Sequence, residues 1–510
     1  MYDTNPTRRD VLRGVVAGGI SLSAVGVAGA SHSRQYLVTT SGEATRTRLE
    51  REGFTVVRSL AGGDVLLVSG SESPTEVRGV GEAVRNVKLR FERPVEREPL
   101  SDPATTTDDE SLYPLQWDKQ NTNVAAAHET TTGEGATIAV IDTGTDLNHP
   151  DLAPNVNAGA LFRRVAGRGD NVVDSLADGL FDGDTDVRVP STSDLEDFEV
   201  TNADGTVVGY EPAGFDLESR DASDDVEGHG SHVSGIAAAS VGEEVFEEST
   251  GIAGTAPDAT VVPHRVFYWE RQKVTYEPEE GVEETRELVV TSTTTADILA
   301  AIDFAANEVG VDAMNLSIGT PPLPPQANRE GFRQAYRLVV QHAVNAGSVV
   351  VVSAGNSDTE LNEGGVFTVP NSVPGAMSIG ATGPNRERAF YSNYGANELS
   401  LAAPGGGYET LAKTFADDTE WPSPTNLVLS TTPPDIYGTA YAYLAGTSMA
   451  APQVTGTAAL LAATDSSLNP DQIQSTIEQT ADTATGTDRR ELGAGNLNVA
   501  TAVESADSKN

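Results

Sequence analysis

Five apolar runs recur along the C-terminal two thirds of the chain: Thr137 to Ile141, Thr260 to Val266, Ala313 to Ile318, Ser348 to Ser353 and Ala376 to Ile379. Their apolar residues are consecutive rather than alternating, the pattern of strands buried on both faces. Between them His229 to Ala239, Ala296 to Glu308 and Arg329 to Asn345 carry helical spacing, and Gly347 stands where a C′ glycine would close the last. Strands that alternate with helices predict a mostly parallel sheet between two helix layers, a three-layer α/β/α domain. Pro470 to Thr480 reads as a final amphipathic helix.

A shorter block precedes this domain. Tyr36-Leu37-Val38 and Val65-Leu66-Leu67-Val68 read as strands, Ala44 to Glu52 and Pro74 to Val80 as helices, and Val84 to Phe91 as a closing strand. Glu98 to Asp109 is rich in Pro, Asp, Ser and Thr and has no apolar period, so it reads as a linker. The chain therefore divides into a leader (1–30), a small α+β unit (31–97), a linker (98–111) and a large domain (112–510). Ala153 to Glu227 and Phe267 to Thr295 interrupt the α/β pattern with acidic sequence and are expected to be surface loops.

Charge changes the picture next. The 510 residues include 75 acidic and 33 basic ones, a net charge of -42, which argues against nucleic acid as a partner because phosphate contacts need Lys and Arg. A hydrophobic content of 38% is enough for a core, so an acidic disordered chain is not the expectation. Only Lys88, Lys119, Lys273, Lys413 and Lys509 are lysines. Such a surface suits strong salt, where self-repulsion is screened and carboxylates keep the protein hydrated; a haloarchaeal origin is expected. There is no cysteine, which excludes a thiol nucleophile and a disulfide framework. Thr7-Arg8-Arg9-Asp10-Val11-Leu12-Arg13, the weakly apolar run Gly14 to Val27 and Ala28-Gly29-Ala30 resemble a twin-arginine export signal. The apolar run is too short to span a membrane, so an extracellular product that stays off the membrane after export is expected.

Three motifs carry candidate chemistry. Ala139-Val140-Ile141-Asp142-Thr143-Gly144 ends a strand in a carboxylate, Gly228-His229-Gly230-Ser231-His232-Val233 opens a helix with an imidazole, and Leu444-Ala445-Gly446-Thr447-Ser448-Met449-Ala450-Ala451-Pro452 places a serine at another helix N-terminus. Taken alone, Ser448 is as well explained as a helix cap. Together, the order Asp, His, Ser is one of three known for the same triad chemistry. These motifs resemble the signatures of the subtilisin-like (subtilase) serine peptidases, and the likeness to that family, including its secreted haloarchaeal halolysin-like proteases, covers about Leu112 to Val503. Leu492-Gly493-Ala494-Gly495-Asn496-Leu497-Asn498 resembles the family's closing motif, after which no further domain is expected.

That resemblance implies roles. Ser448 would be the nucleophile, His229 the general base and Asp142 its orienting carboxylate. His232, one turn on, would be structural. Asn356 in Val352-Ser353-Ala354-Gly355-Asn356 would donate to the oxyanion beside the Ser448 N–H. Ser317, Ile318 and Gly319 would pair with the substrate backbone as an added strand, and Ser353, Ala354 and Gly355 would line the first specificity pocket, whose small uncharged walls suit apolar side chains. The N-terminal block resembles the ferredoxin-like pro-domain of the family, a folding aid and temporary inhibitor. Protein or peptide substrates, the chain's own pro-domain and a monomeric state follow.

The chemistry requires no cofactor, but a structural Ca²⁺ is expected from Asp151, which matches a calcium ligand of the family, with Glu248 and Asp109 as further oxygen donors. Asp182-Gly183-Asp184-Thr185-Asp186 has a calcium-loop flavour without the glutamate that closes an EF-hand loop. Two other functions fit parts of the sequence. A metal-dependent hydrolase built on His229, His232, Asp142 and His149 would leave Ser448 and Asn356 without purpose. An inactive peptide-binding protein on the same fold would be expected to lack one of the set, and all are present.

Overall fold

A computed structural model of the chain describes residues 34–91, 96–99, 112–156, 159–161, 186–190, 199–203, 207–211, 217–221, 223–225, 227–240, 251–279, 281–328, 331–395, 397–416, 425–483 and 488–508. The expected export signal, most of the linker, Asp182 to Thr185, Asp109 and Glu248 lie outside them.

The N-terminal unit is built on β1 (Arg34–Thr40), β2 (Thr55–Leu60), β3 (Val65–Gly70) and β4 (Val80–Arg85), an antiparallel sheet of order β2-β3-β1-β4 with the helix Glu43–Arg51 on one face. Alternation along β1 serves two cores. Tyr36 and Val38 pack with Leu49 of the unit's own helix, whereas Leu37 faces the peptide layer formed by Thr295–Phe304 and Phe332–Ala346. The helix expected at Pro74 to Val80 is only a 3-10 turn, Pro74–Glu76, because Gly79 at φ 100° turns the chain into β4. The expected closing strand is likewise split, at Asn86, into β4 and β5 (Lys88–Arg90). After it β6 (Glu96–Pro99) joins a different sheet.

Seven parallel strands form the central layer. In chain order they are β7 (Thr137–Asp142), β8 (Ala160–Leu161), β13 (Thr260–Arg265), β16 (Ala313–Leu316), β17 (Val349–Ser353), β18 (Ala376–Thr382) and β19 (Leu401–Pro404), arranged β19-β18-β17-β16-β7-β13-β8. Ile138 and Val140 of β7 enter the core under His229–Ala238, Thr447–Thr464 and Val499–Asp507, while Ala139 and Ile141 enter the opposite core under Thr295–Phe304 and Phe332–Ala346. Val349 and Val351 of β17 divide from Val350 and Val352 in the same way. Full burial of each such side chain is worth roughly 1.5–3 kcal/mol, which explains the consecutive apolar runs. The chain moves from β7 to β13 on one side and later returns to β16 on the other, so the crevice beyond the β7 and β16 C-termini is the topological switch point where open α/β sheets bind ligands.

The two acidic interruptions are not simple loops. The described parts of the first hold β9 (Asp186–Pro190), β10 (Glu199–Thr201), β11 (Val207–Tyr210) and β12 (Leu217–Asp221), with β9 paired to β12. The second is a long hairpin, β14 (Tyr268–Glu279) with β15 (Val282–Thr294), turning at Gly281 with φ 79°. Those strands assemble in the order β10-β11-β15-β14 over a small core of Val200, Val274, Tyr276, Leu288 and Val290, and β5 of the N-terminal unit pairs with the end of β15. A separate three-stranded sheet, β20 (Val428–Thr431), β21 (Tyr441–Ala445) and β6, leads directly into the serine helix. Among the described residues, no helix is long and apolar enough to cross a membrane.

Candidate active site

Asp142 ends β7 at the switch point and is fully buried. Its Oδ1 accepts from the Thr143 N–H at 2.7 Å and lies 2.8 Å from His229 Nδ1. His229 opens its helix after Gly228, whose φ of 93° turns the chain into the helix start. Burial alone would lower the imidazole pKa, but the Asp142 carboxylate and its hydrogen bond, followed by the charges of Asp225 and Glu227, raise it above the ordinary value. His229 Nε2 has no hydrogen-bond partner among the described residues. The Phe91 ring packs edge-on against the imidazole, with centroids 5.2 Å apart.

Ser448 is the second residue of Thr447–Thr464 and only 9% exposed. Its Oγ donates to the Ser317 carbonyl at 3.3 Å and not to His229. The pairing is reciprocal. Pro452 has no N–H to give the carbonyl four residues back, and Ser317 Oγ donates to that Ser448 carbonyl instead, at 2.8 Å. Thr447–Thr464 lies against His229–Ala238 because Gly456 leaves room: a Cβ there would stand 2.8 Å from the Ala237 carbonyl oxygen. Beneath both helices the buried Lys119 ammonium donates to the Ile236 carbonyl, Thr255 Oγ1 and Gln453 Oε1 at 2.7–2.8 Å, and burial lowers its pKa to about 8.

Asn356 follows β17 through Gly355, whose φ is 98°. Its Oδ1 accepts from Thr447 N and Oγ1 at 2.9 and 2.8 Å, which turns the amide nitrogen to the cleft side. Asn356 Nδ2 and Ser448 N both lie close to Gly446, 3.4 and 3.6 Å from the point where a Cβ on that residue would sit. Ser353 and Ala354 are buried, and the Ala354 carbonyl is held by Asn371 and Asn393 Nδ2 at 3.2 and 2.9 Å. Ile318 sits in the same core as Leu89 of the N-terminal unit, and Gly319 is exposed.

The strand edge that the N-terminal unit covers is one the sequence reading missed. Among the described residues no strand pairs with Ser317 to Gly319; β5 lies antiparallel on Ser292, Thr293 and Thr294 of β15, and Phe91 N donates to the Thr291 carbonyl at 3.1 Å. The run of threonines before the cap Thr294, whose side chain accepts from Asp297 N, is the only sequence signal for it.

Two of the three oxygen donors expected for a structural Ca²⁺, Glu248 and Asp109, lie outside the described residues. Asp151 Oδ2 accepts from Ile252 N and Tyr441 Oη at 2.9 and 3.0 Å, and burial raises its pKa. His232 Nε2 contacts the Ala442 carbonyl at 3.0 Å, with burial lowering its pKa to about 3, and His149 Nε2 contacts the Ala440 carbonyl. No group of three His, Asp or Glu among the described residues is arranged to hold a metal ion. The His232 contact ties its helix to β21 and the His149 contact ties the turn region after β7 to the residue before β21, so a shared metal with His229 is not favoured.

The buried Asp142–His229 pair lies at the switch point, and Ser448 stands at the start of a helix packed against the one that His229 opens. The profile of the Subtilase family matches residues 133–495, and the chain belongs to that family. It is 30% identical over 390 residues to a thermophilic serine proteinase of a Bacillus species, covering 76% of this chain and 67% of that one. Thermitase of Thermoactinomyces vulgaris is 29% identical over 386 residues, 75% of this chain and 94% of its own. Among solved structures, a protease of Pseudoalteromonas arctica superposes with a TM-score of 0.52 at 26% identity, over 79% of this chain and 99% of that one. The epidermin leader peptide processing serine protease of Staphylococcus aureus shares the fold, with a TM-score of 0.63 at 21% identity over 94% of this chain and 99% of that one. The chain is thus a subtilisin-family serine-type endopeptidase.

Proposed function

We propose a secreted endopeptidase that is made as a self-processing precursor and cuts peptide bonds through Asp142, His229 and Ser448. The observation that carries this reading is the 2.8 Å His229 Nδ1–Asp142 Oδ1 pair with Nε2 left unpartnered. Rotation of the Ser448 hydroxyl from the Ser317 carbonyl to Nε2 prepares the attack. The proton of Ser448 passes to Nε2 as Oγ bonds to the substrate carbonyl carbon; the oxyanion is held by Asn356 Nδ2 and Ser448 N; Nε2 then protonates the leaving amine, and water repeats the sequence on the acyl-enzyme. In this reading the chemistry draws on no metal or organic cofactor. Ser353, Ala354 and Gly355 favour an apolar side chain before the cut bond.

The N-terminal unit acts here as the inhibitor that is removed. Support comes from its burial against Thr295–Phe304 and Phe332–Ala346, from Ala61 N donating to Asp303 Oδ1 at 2.8 Å, and from β5 on the cleft edge with Phe91 at the imidazole. β6 pairs with Tyr441–Ala445 on the serine side, so the bond cut in maturation falls between Phe91 and Glu96. The extracellular protease of Xanthomonas campestris, 28% identical over 417 residues, supports an extracellular site of action. Twin-arginine export, a monomeric product and activity in strong salt complete the proposal. The test is casein hydrolysis in strong salt by wild type and Ser448→Ala. Wild type is active with a new N-terminus inside 92–96, Ser448→Ala is inactive and uncut, and an active Ser448→Ala protein removes the mechanism.

A further inference from the structure

The catalytic pair spans two elements, the turn after β7 and the start of His229–Ala238, and something must fix one against the other. The fully buried Asp225 lies between them. Its Oδ1 accepts from Thr143 Oγ1 at 2.7 Å, from Gly228 N at 2.8 Å and from Glu227 N at 3.0 Å; its Oδ2 accepts from Ser231 N at 2.8 Å and Ser231 Oγ at 2.7 Å. Thr143 Oγ1 in turn accepts from Gly230 N at 2.8 Å. Five donors on one carboxylate include the first N–H groups of the histidine helix, which have no helical partner of their own. They also include the hydroxyl of the residue next to Asp142. The loop bearing Asp225 is itself fixed, because Thr145 N donates to the Ser223 carbonyl at 3.1 Å and Arg265 Nη1 to the Asp224 carbonyl at 3.4 Å.

We propose that Asp225, acting through Thr143, is a positioning residue that clamps the imidazole-bearing helix to the carboxylate-bearing turn and so sets the His229–Asp142 geometry. It does not touch the reacting atoms. The inference rests on His229 being the general base. The charged groups that face this imidazole are Asp142 from β7 and Asp225 and Glu227 from the loop that leads into its helix, while the N-terminal unit presents the Phe91 ring.

Three variants in the full chain test it, by kcat, KM and the pH profile on a chromogenic peptide. Asp225→Asn places an amide N–H against the Ser231 donors; kcat falls about 10- to 100-fold, as expected for a misplacement approaching 1 Å, KM stays within about threefold, and the acid limb of kcat/KM moves to lower pH because a negative charge near the imidazole is gone. Thr143→Val removes the bridging hydroxyl but keeps the Asp225 charge, so kcat falls while the acid limb stays, and Thr143→Ser restores the rate. The Thr143 pair decides if Asp225→Asn fails to fold. Wild-type kcat in Thr143→Val, or a loss that Thr143→Ser does not restore, overturns the clamp. The underlying reading fails by a different result, hydrolysis that survives in Ser448→Ala.

Discussion

Gly230, immediately after the candidate base, offers the sharpest test of how closely the site is packed. A methyl group there would overlap the Gly144 carbonyl oxygen and stand 3.1 Å from the Gly144 carbon and nitrogen, all backbone atoms. Gly144 cannot yield. It has φ 116°, and its own Cα faces the Asp224 and Asp225 backbone so closely that a Cβ would come within 2.7 and 2.8 Å of Asp224 C and Asp225 Cα. In Gly230→Ala the helix start must therefore withdraw from the β7 turn by about 1 Å, the scale of backbone shift that overpacking forces. The His229–Asp142 bond, now 2.8 Å, would stretch to roughly 3.8 Å, beyond hydrogen-bond range. A hydrogen bond to a charged group is worth about 1.5–3 kcal/mol, and tenfold in rate corresponds to about 1.4 kcal/mol. The expected loss in kcat/KM is thus roughly 10- to 150-fold, with a Tm drop reflecting about 1–3 kcal/mol of packing strain. The assay is initial-rate kinetics on a peptide substrate in strong salt beside thermal unfolding of the same samples. A Gly230→Ala enzyme with kcat/KM within about threefold of wild type would show that the 2.8 Å pair is not what sets the rate.

Two other substitutions probe separate parts of the site. Asn356→Ala should lower kcat by about 10²–10³ with KM nearly unchanged, because its amide acts on the developing oxyanion; an equal rise in KM would assign it to substrate binding instead. Lys119 has a folded pKa of about 8 against 10.5 in the unfolded chain, so the unfolded state binds more protons in that window and its contribution to stability is lost as pH falls through 8 and present above 10.5. Denaturant unfolding of wild type and Lys119→Met across that range should show the wild type gaining relative to the variant as pH rises; a constant gap between them would refute the buried charge.

Much of this was legible in the chain. The consecutive apolar residues of Thr137 to Ile141 and Ser348 to Ser353 demanded two covered faces, and β7 and β17 divide their side chains between two cores accordingly. Asp142 and His229, singled out by their resemblance to family motifs, do meet in the structure, at a strand end and a helix start. The hairpin at Tyr268–Thr294 was not, because its inward residues Val274, Tyr276, Leu288 and Val290 are interleaved with Glu, Lys and Arg at a density that resembles solvated loop. Pro74 to Val80 failed for a local reason, since Gly79 and Gly81 flank Val80 and favour a turn into a strand over another helical turn. Asp225 was hidden by abundance. In a chain with 75 acidic residues, one buried carboxylate with five donors looks like any other until its neighbours are known.

The strand Val282–Thr294 belongs to two structures at once: its first half is the wall of the added sheet, and its last three residues are the rim on which β5 lies. No turn or glycine interrupts Glu283 to Thr294 between those halves. Backbone continuity of this kind has no joint at which a load could be lost. Anything that grips, bends or trims the acidic appendage therefore pulls directly on the lip of the groove beside His229, and the appendage is better regarded as a handle on the cleft than as decoration around it.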